Sequence, residues 1–113
     1  MVEHRILFPR DKKTVRDFEE SSVDERSNYE VEALTLLQKM DFLRQLTMRA
    51  PQFRPWNGEP GRLIAAAEIP TLLPVIVELR KKTPDLEFGR VLDRIYAKSC
   101  KSRDIGLPII LFR

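Results

Sequence analysis

The feature that most constrains this chain is the stretch Ser27–Arg49, SNYEVEALTLLQKMDFLRQLTMR, which no glycine or proline interrupts. Ser27 followed three residues later by Glu30 has the form of a capping box, in which each side chain satisfies an unpaired N–H at a helix start. Glu30 and Glu32 stand at the leading end and Arg44 and Arg49 at the trailing end, the order a helix dipole favours. The pattern predicts one helix over 27–49, with Tyr29, Ala33, Leu36, Met40, Leu43 and Ala50 as its inward stripe. Leu34, Leu37 and Leu46 broaden that stripe, and Phe42 and Met48 fall on its flanks. So wide an apolar surface implies two neighbours, or one neighbour and a second copy of the chain, so a homodimer through this helix is a candidate assembly.

The remaining helices follow from punctuation. Pro70 suits a first helical turn, and TLLPVIVELRKK predicts a helix over 70–82 that ends in basic residues. Thr83-Pro84-Asp85 reads as a restart, giving a helix over 84–101 that the turn residues Asp104–Pro108 close. Weaker segments fall at 12–20, with Thr14 as its cap, and at 61–67; a linker through Ser21-Ser22 follows the first. Two short apolar runs, Ile6-Leu7-Phe8 and Ile109-Ile110-Leu111-Phe112, have strand composition and sit near the two ends of the sequence. The expected fold class is all-α, a small three-to-five-helix bundle, with a minor β pairing of the two termini as an addition. Residues 1–26 read as a polar leader and 27–113 as the helical domain.

Charge is unevenly distributed. Residues 1–34 hold 6 Lys/Arg against 9 Asp/Glu, and residues 35–113 hold 14 against 8, which leaves the chain at +3. The basic body favours acidic partners without selecting among them. Histidine and cysteine each occur once, as His4 and Cys100, which excludes an intramolecular disulfide and a His/Cys metal site within one chain. No apolar run reaches membrane-spanning length and no signal-peptide pattern opens the sequence, so the expected location is cytoplasmic, with no membrane partner. Phosphate-binding glycine motifs and nucleophile–base pairs are absent too. The expectation is therefore a non-enzymatic protein with no metal, cofactor or small-molecule substrate.

Function is argued from the connection between helices, PQFRPWNGEPG, stiffened by Pro51, Pro55 and Pro60 and turned at Asn57-Gly58. Phe53, Arg54 and Trp56 have the composition of an interface hot spot, and Arg49 and Arg62 flank them. The expected function is a protein-interaction module that occludes or bridges a protein partner, of the immunity-protein, inhibitor, antitoxin or adaptor type. The alternative is a basic nucleic-acid-binding accessory factor using Arg44, Arg49, Arg54 and Arg62, with Phe53 and Trp56 stacking on bases.

Overall fold

The computed structural model describes residues 4–19, 29–54 and 62–112. Within them are four strands, β1 (Arg5–Pro9), β2 (Tyr29–Ala33), β3 (Arg62–Ile64) and β4 (Ile109–Leu111), and four helices, α1 (Lys12–Glu19), α2 (Leu36–Arg49), α3 (Ile69–Lys82) and α4 (Leu86–Ile105). The strands form one antiparallel sheet in the order β2-β1-β4-β3. This α+β arrangement corrects the all-α helical bundle expected from the sequence. The Ser27 cap, the Ser21-Ser22 linker, the Asn57-Gly58 turn and Trp56 lie outside the described residues.

The two end runs pair with each other, Ile6 opposite Leu111 and Leu7 opposite Ile110, and they form the centre of the sheet rather than a minor addition. Side chains on a strand alternate between faces. Ile6, Phe8, Ile64, Ile109 and Leu111 therefore point to one face, where they share a core with α2, α3 and α4. Leu7, Tyr29 and Ile110 point to the other and are also buried. Burial on both faces is why ILF and IILF are unbroken apolar runs instead of alternating ones.

Strand β2 overturns the first half of the expected 27–49 helix. YEVEA alternates with period two, placing Tyr29 with Leu7 on one face and Glu30 and Glu32 on the face towards the helices. There the two acids meet a basic ridge of α4. Arg94 Nε donates to Glu32 Oε1 at 3.0 Å and Oε2 at 3.3 Å, Lys98 Nζ donates to Glu32 Oε2, and Lys101 Nζ lies 3.7 Å from Glu30 Oε2. The Lys98 ammonium also lies 6.0 Å from the Phe8 ring centroid. Glu30 and Glu32, two apart on a strand, match Arg94, Lys98 and Lys101, three and four apart on a helix, because both spacings are near 6 Å. Glu32 is withdrawn from solvent, its side chain 7% exposed. Glu32→Ala is expected to cost about 2 kcal/mol in urea denaturation, less than for a fully buried pair because Arg94 and Lys98 keep access to water.

Each helix start is set locally. The Thr14 backbone N–H and hydroxyl both donate to Asp11 Oδ1 at 2.8 Å, so Asp11 rather than Thr14 caps α1. These bonds hold the Asp11 carboxyl below its usual pKa range, so its stabilisation of α1 is complete above the ordinary carboxylate pKa and is lost as pH falls through the lowered one. Helix α2 starts at a capping box two residues beyond the strand, with Gln38 N–H donating to Thr35 Oγ1 at 3.2 Å and Thr35 N–H to Gln38 Oε1 at 3.0 Å. The expected 61–67 helix is instead strand β3 followed by a single 3-10 turn at Ala66–Glu68.

Asp85 caps α4, accepting from the N–H groups of Glu87 and Phe88, and Gly106 closes it at φ 74°. Inside α4, Gly89 leaves its backbone bare, and the Arg80 guanidinium lies where a Cβ would be, 2.9 Å from that position. From there Arg80 Nε reaches Asp93 Oδ1 at 3.1 Å, joining α3 to α4. Helix α3 packs against both α2 and α4 in the layer over the sheet. No helix among the described residues is long and apolar enough to cross a membrane.

Candidate functional site

With α2 beginning at Leu36, its phase differs from that of a helix begun at Ser27. Phe42, Gln45 and Leu46, at i, i+3 and i+4, form the inward face. Phe42 meets Phe112 edge-on, with ring centroids 5.4 Å apart at 83°. Half of the stripe expected to face the core therefore faces out. Leu36 is 56% exposed, Leu37 74%, Met40 49% and Met48 66%, while Leu43 is half-buried at the edge of the core. One helix thus presents four long apolar side chains to solvent on one side, a grouping rather than the single scattered residues normal for a surface.

Basic groups rim this face. Arg54, in the turn after α2, donates from Nη1 to Thr47 Oγ1 at 3.3 Å, and Thr47 in turn donates to the Leu43 carbonyl at 2.8 Å. Met40, Leu43, Arg44, Thr47, Met48 and Arg54 enclose a groove of about 380 Å³. At the other end Lys39 Nζ stands 5.3 Å from the centre of the Phe112 ring. Arg44 is 71% exposed and only loosely tied to Asp41, at 3.6 Å. The surface is therefore apolar in the middle and positively charged at its edges.

The five residues singled out from the sequence do not come together as one cluster. Phe53 is 2% exposed and belongs to the core, held in a 3-10 turn at Pro51–Phe53, so it is an anchor of the connection and not of a partner. Arg54 is exposed at the groove. Arg49 turns towards α3, 3.4 Å from Glu78, and Arg62 Nη2 donates to the Gln52 carbonyl at 3.0 Å. Trp56 lies outside the described residues.

Leu36, Leu37, Met40 and Met48 are the surface residues that sequence reasoning assigned to the interior or its margin. Thr35 and Gln38, the capping box that sets the true phase, were the signal that identifies them. Among the described residues no three His, Cys, Asp or Glu side chains converge as metal ligands, and Cys100 is half-buried against the core.

No protein-family model, curated protein or solved structure matches the chain. The immunity-protein and antitoxin types expected from the sequence go with the all-α helical bundle expected beside them. With a four-stranded sheet at the centre of the fold, that basis is gone.

Proposed function

We propose that this chain is a non-enzymatic protein-interaction module, working in the reducing cytoplasm, whose outer α2 face docks an acidic amphipathic helical segment of another protein. The observation that carries the reading is the exposed Leu36, Leu37, Met40 and Met48 set on a helix with basic edges. Methionine and leucine side chains in a shallow groove suit the apolar stripe of a helix, because they adapt to its ridges at little cost. Arg44 and Arg54 at the rim select acidic flanks on the incoming segment and steer its approach. A second copy of this chain fits less well, since symmetric contact would bring these arginines towards their own counterparts.

Nucleic-acid binding has weaker support. Of the bases it would use, Arg49 is met by Glu78 and Arg62 by the Gln52 carbonyl, and Phe53 is unavailable for stacking. Lys98 and Lys101, on the basic ridge of α4, are engaged by Glu32 and Glu30.

The test is a fluorescence-anisotropy titration of the full chain with a labelled helical peptide, leucines along one stripe and glutamates on both flanks. Binding in the micromolar range is expected, weakening by less than about tenfold between 50 and 300 mM salt because the central contact is apolar. No binding by the peptide, together with oligonucleotide binding that collapses over the same salt range, would replace this reading with the nucleic-acid one. A concentration-dependent dimer in sedimentation, with no peptide binding, would make the occupant a second copy.

A further inference from the structure

Beside the groove, on the other side of the ridge made by Arg44 and Met48, a second depression of about 280 Å³ opens between α2 and the turn joining α3 to α4. Gln45, Leu79, Lys82 and Thr83 line it, and so does Asp41. Gln45 is 4% exposed, and its Nε2 has no hydrogen-bond partner. A buried amide donor left unpaired costs about 1–3 kcal/mol, and a neighbouring Leu46 or Phe42 shows that the same helix face accepts apolar residues. Glutamine at this position is thus unfavourable for the isolated chain. Its terminal amide turns about a soft bond and can present either its carbonyl or its NH2 to the depression.

The charged groups around Gln45 are only lightly committed. Arg44 lies 3.6 Å from Asp41, and Lys82, 54% exposed, lies 3.8 Å from Glu78. Asp41 opposes an incoming anion, but among the residues that line the depression Arg44 and Lys82 outnumber it. Turned outward about that bond, the amide sets a donor beside two loosely held cations, which suits one kind of group, a carboxylate small enough to enter with its methylene stem.

We infer that Gln45 is the specificity-determining residue of the α2 docking face, receiving a glutamate or aspartate side chain of the same segment whose apolar stripe fills the adjoining groove. This rests on the docking reading above. The two depressions share Arg44 and Met48, so a helix lying across that ridge places an apolar side chain in one and a flanking carboxylate in the other.

The experiment uses the Leu/Glu peptide and a counterpart with every glutamate replaced by glutamine, titrated against the full chain and its Gln45→Leu variant. The wild-type chain is expected to prefer the Glu peptide by about tenfold, the scale of one hydrogen bond to a charged group. Gln45→Leu is expected to lose most of that preference while binding the Gln peptide as before, and to melt no lower than wild type. In wild-type protein the Gln45 side-chain amide signals are expected to move in NMR spectra with the Glu peptide and not with the Gln peptide, a readout that needs no variant. A preference unchanged in Gln45→Leu, or amide signals that stay still, would overturn this inference alone provided that Met40→Glu combined with Met48→Glu weakens binding by more than about hundredfold. If neither peptide binds wild-type protein, the docking reading fails and this inference with it.

Discussion

A chain ending at Pro108 is expected not to fold. Removing the last residues deletes β4, which lies between β1 and β3, and with it Ile109, Ile110 and Leu111, all at 0% exposure, and Phe112 at 5%. Burying one such side chain contributes about 1.5–3 kcal/mol. Losing four approaches the whole stability of a domain, about 5–15 kcal/mol. The loss is compounded because β1 and β3 are left with unpaired N–H and C=O groups on their facing edges, and Phe42 loses its aromatic neighbour. The truncated chain should show no cooperative thermal transition by circular dichroism and narrow amide dispersion by NMR. A cooperative transition within a few degrees of that of the full chain would mean that the sheet does not depend on its central pairing.

The second large effect is functional and leaves stability alone. Met40→Glu combined with Met48→Glu is expected to weaken binding of the acidic helical peptide by more than about hundredfold. Each substitution removes an apolar contact worth roughly 1–2 kcal/mol and sets a carboxylate against the glutamates of the peptide. Both side chains are about half exposed or more in the free chain, so urea denaturation should move by about 0.5 kcal/mol or less. Val77→Glu, on the cleft between α3 and α4, is the control and should leave affinity unchanged. Equal losses from Val77→Glu and from the α2 pair would place the contact somewhere other than α2.

Legibility of the fold in the sequence followed the range of the forces involved. Helices α3 and α4 were readable because their ends are written locally, in Pro70, in the Thr83-Pro84-Asp85 restart and in Gly106. The end strands were readable as strands from composition, but their place at the centre of the sheet depends on residues about a hundred positions apart. Strand β2 was lost because the form of a capping box at Ser27 and Glu30 outweighed the period-two alternation of YEVEA. The partner that decides between them, β1, is twenty or more residues away. Strand β3 is only three residues long and runs into an alanine-rich segment, so its strand character comes from Ile109–Leu111 and not from itself.

The same misreading concealed the candidate surface. A helix begun at Ser27 puts Leu36 and Met40 inward; one begun after Thr35 turns them out. Phe53 shows the converse. An aromatic residue in a proline-rich connection suggested a surface anchor, but whether it is core depends on where the connection lies on the body, which no local pattern encodes. Gln45 had no signal at all, since a polar residue on a helix is ordinarily solvated and only the packing against α3 buries it.

The most direct test of the docking account is an amide NMR titration of the full chain with the Leu/Glu helical peptide, following every assigned backbone signal. The account predicts shifts concentrated on Leu36–Arg54 and on the Lys82–Pro84 turn, with Val77 and Tyr96 on the α3–α4 cleft unmoved. Shifts centred on the α3–α4 cleft, or none at millimolar peptide, would contradict it.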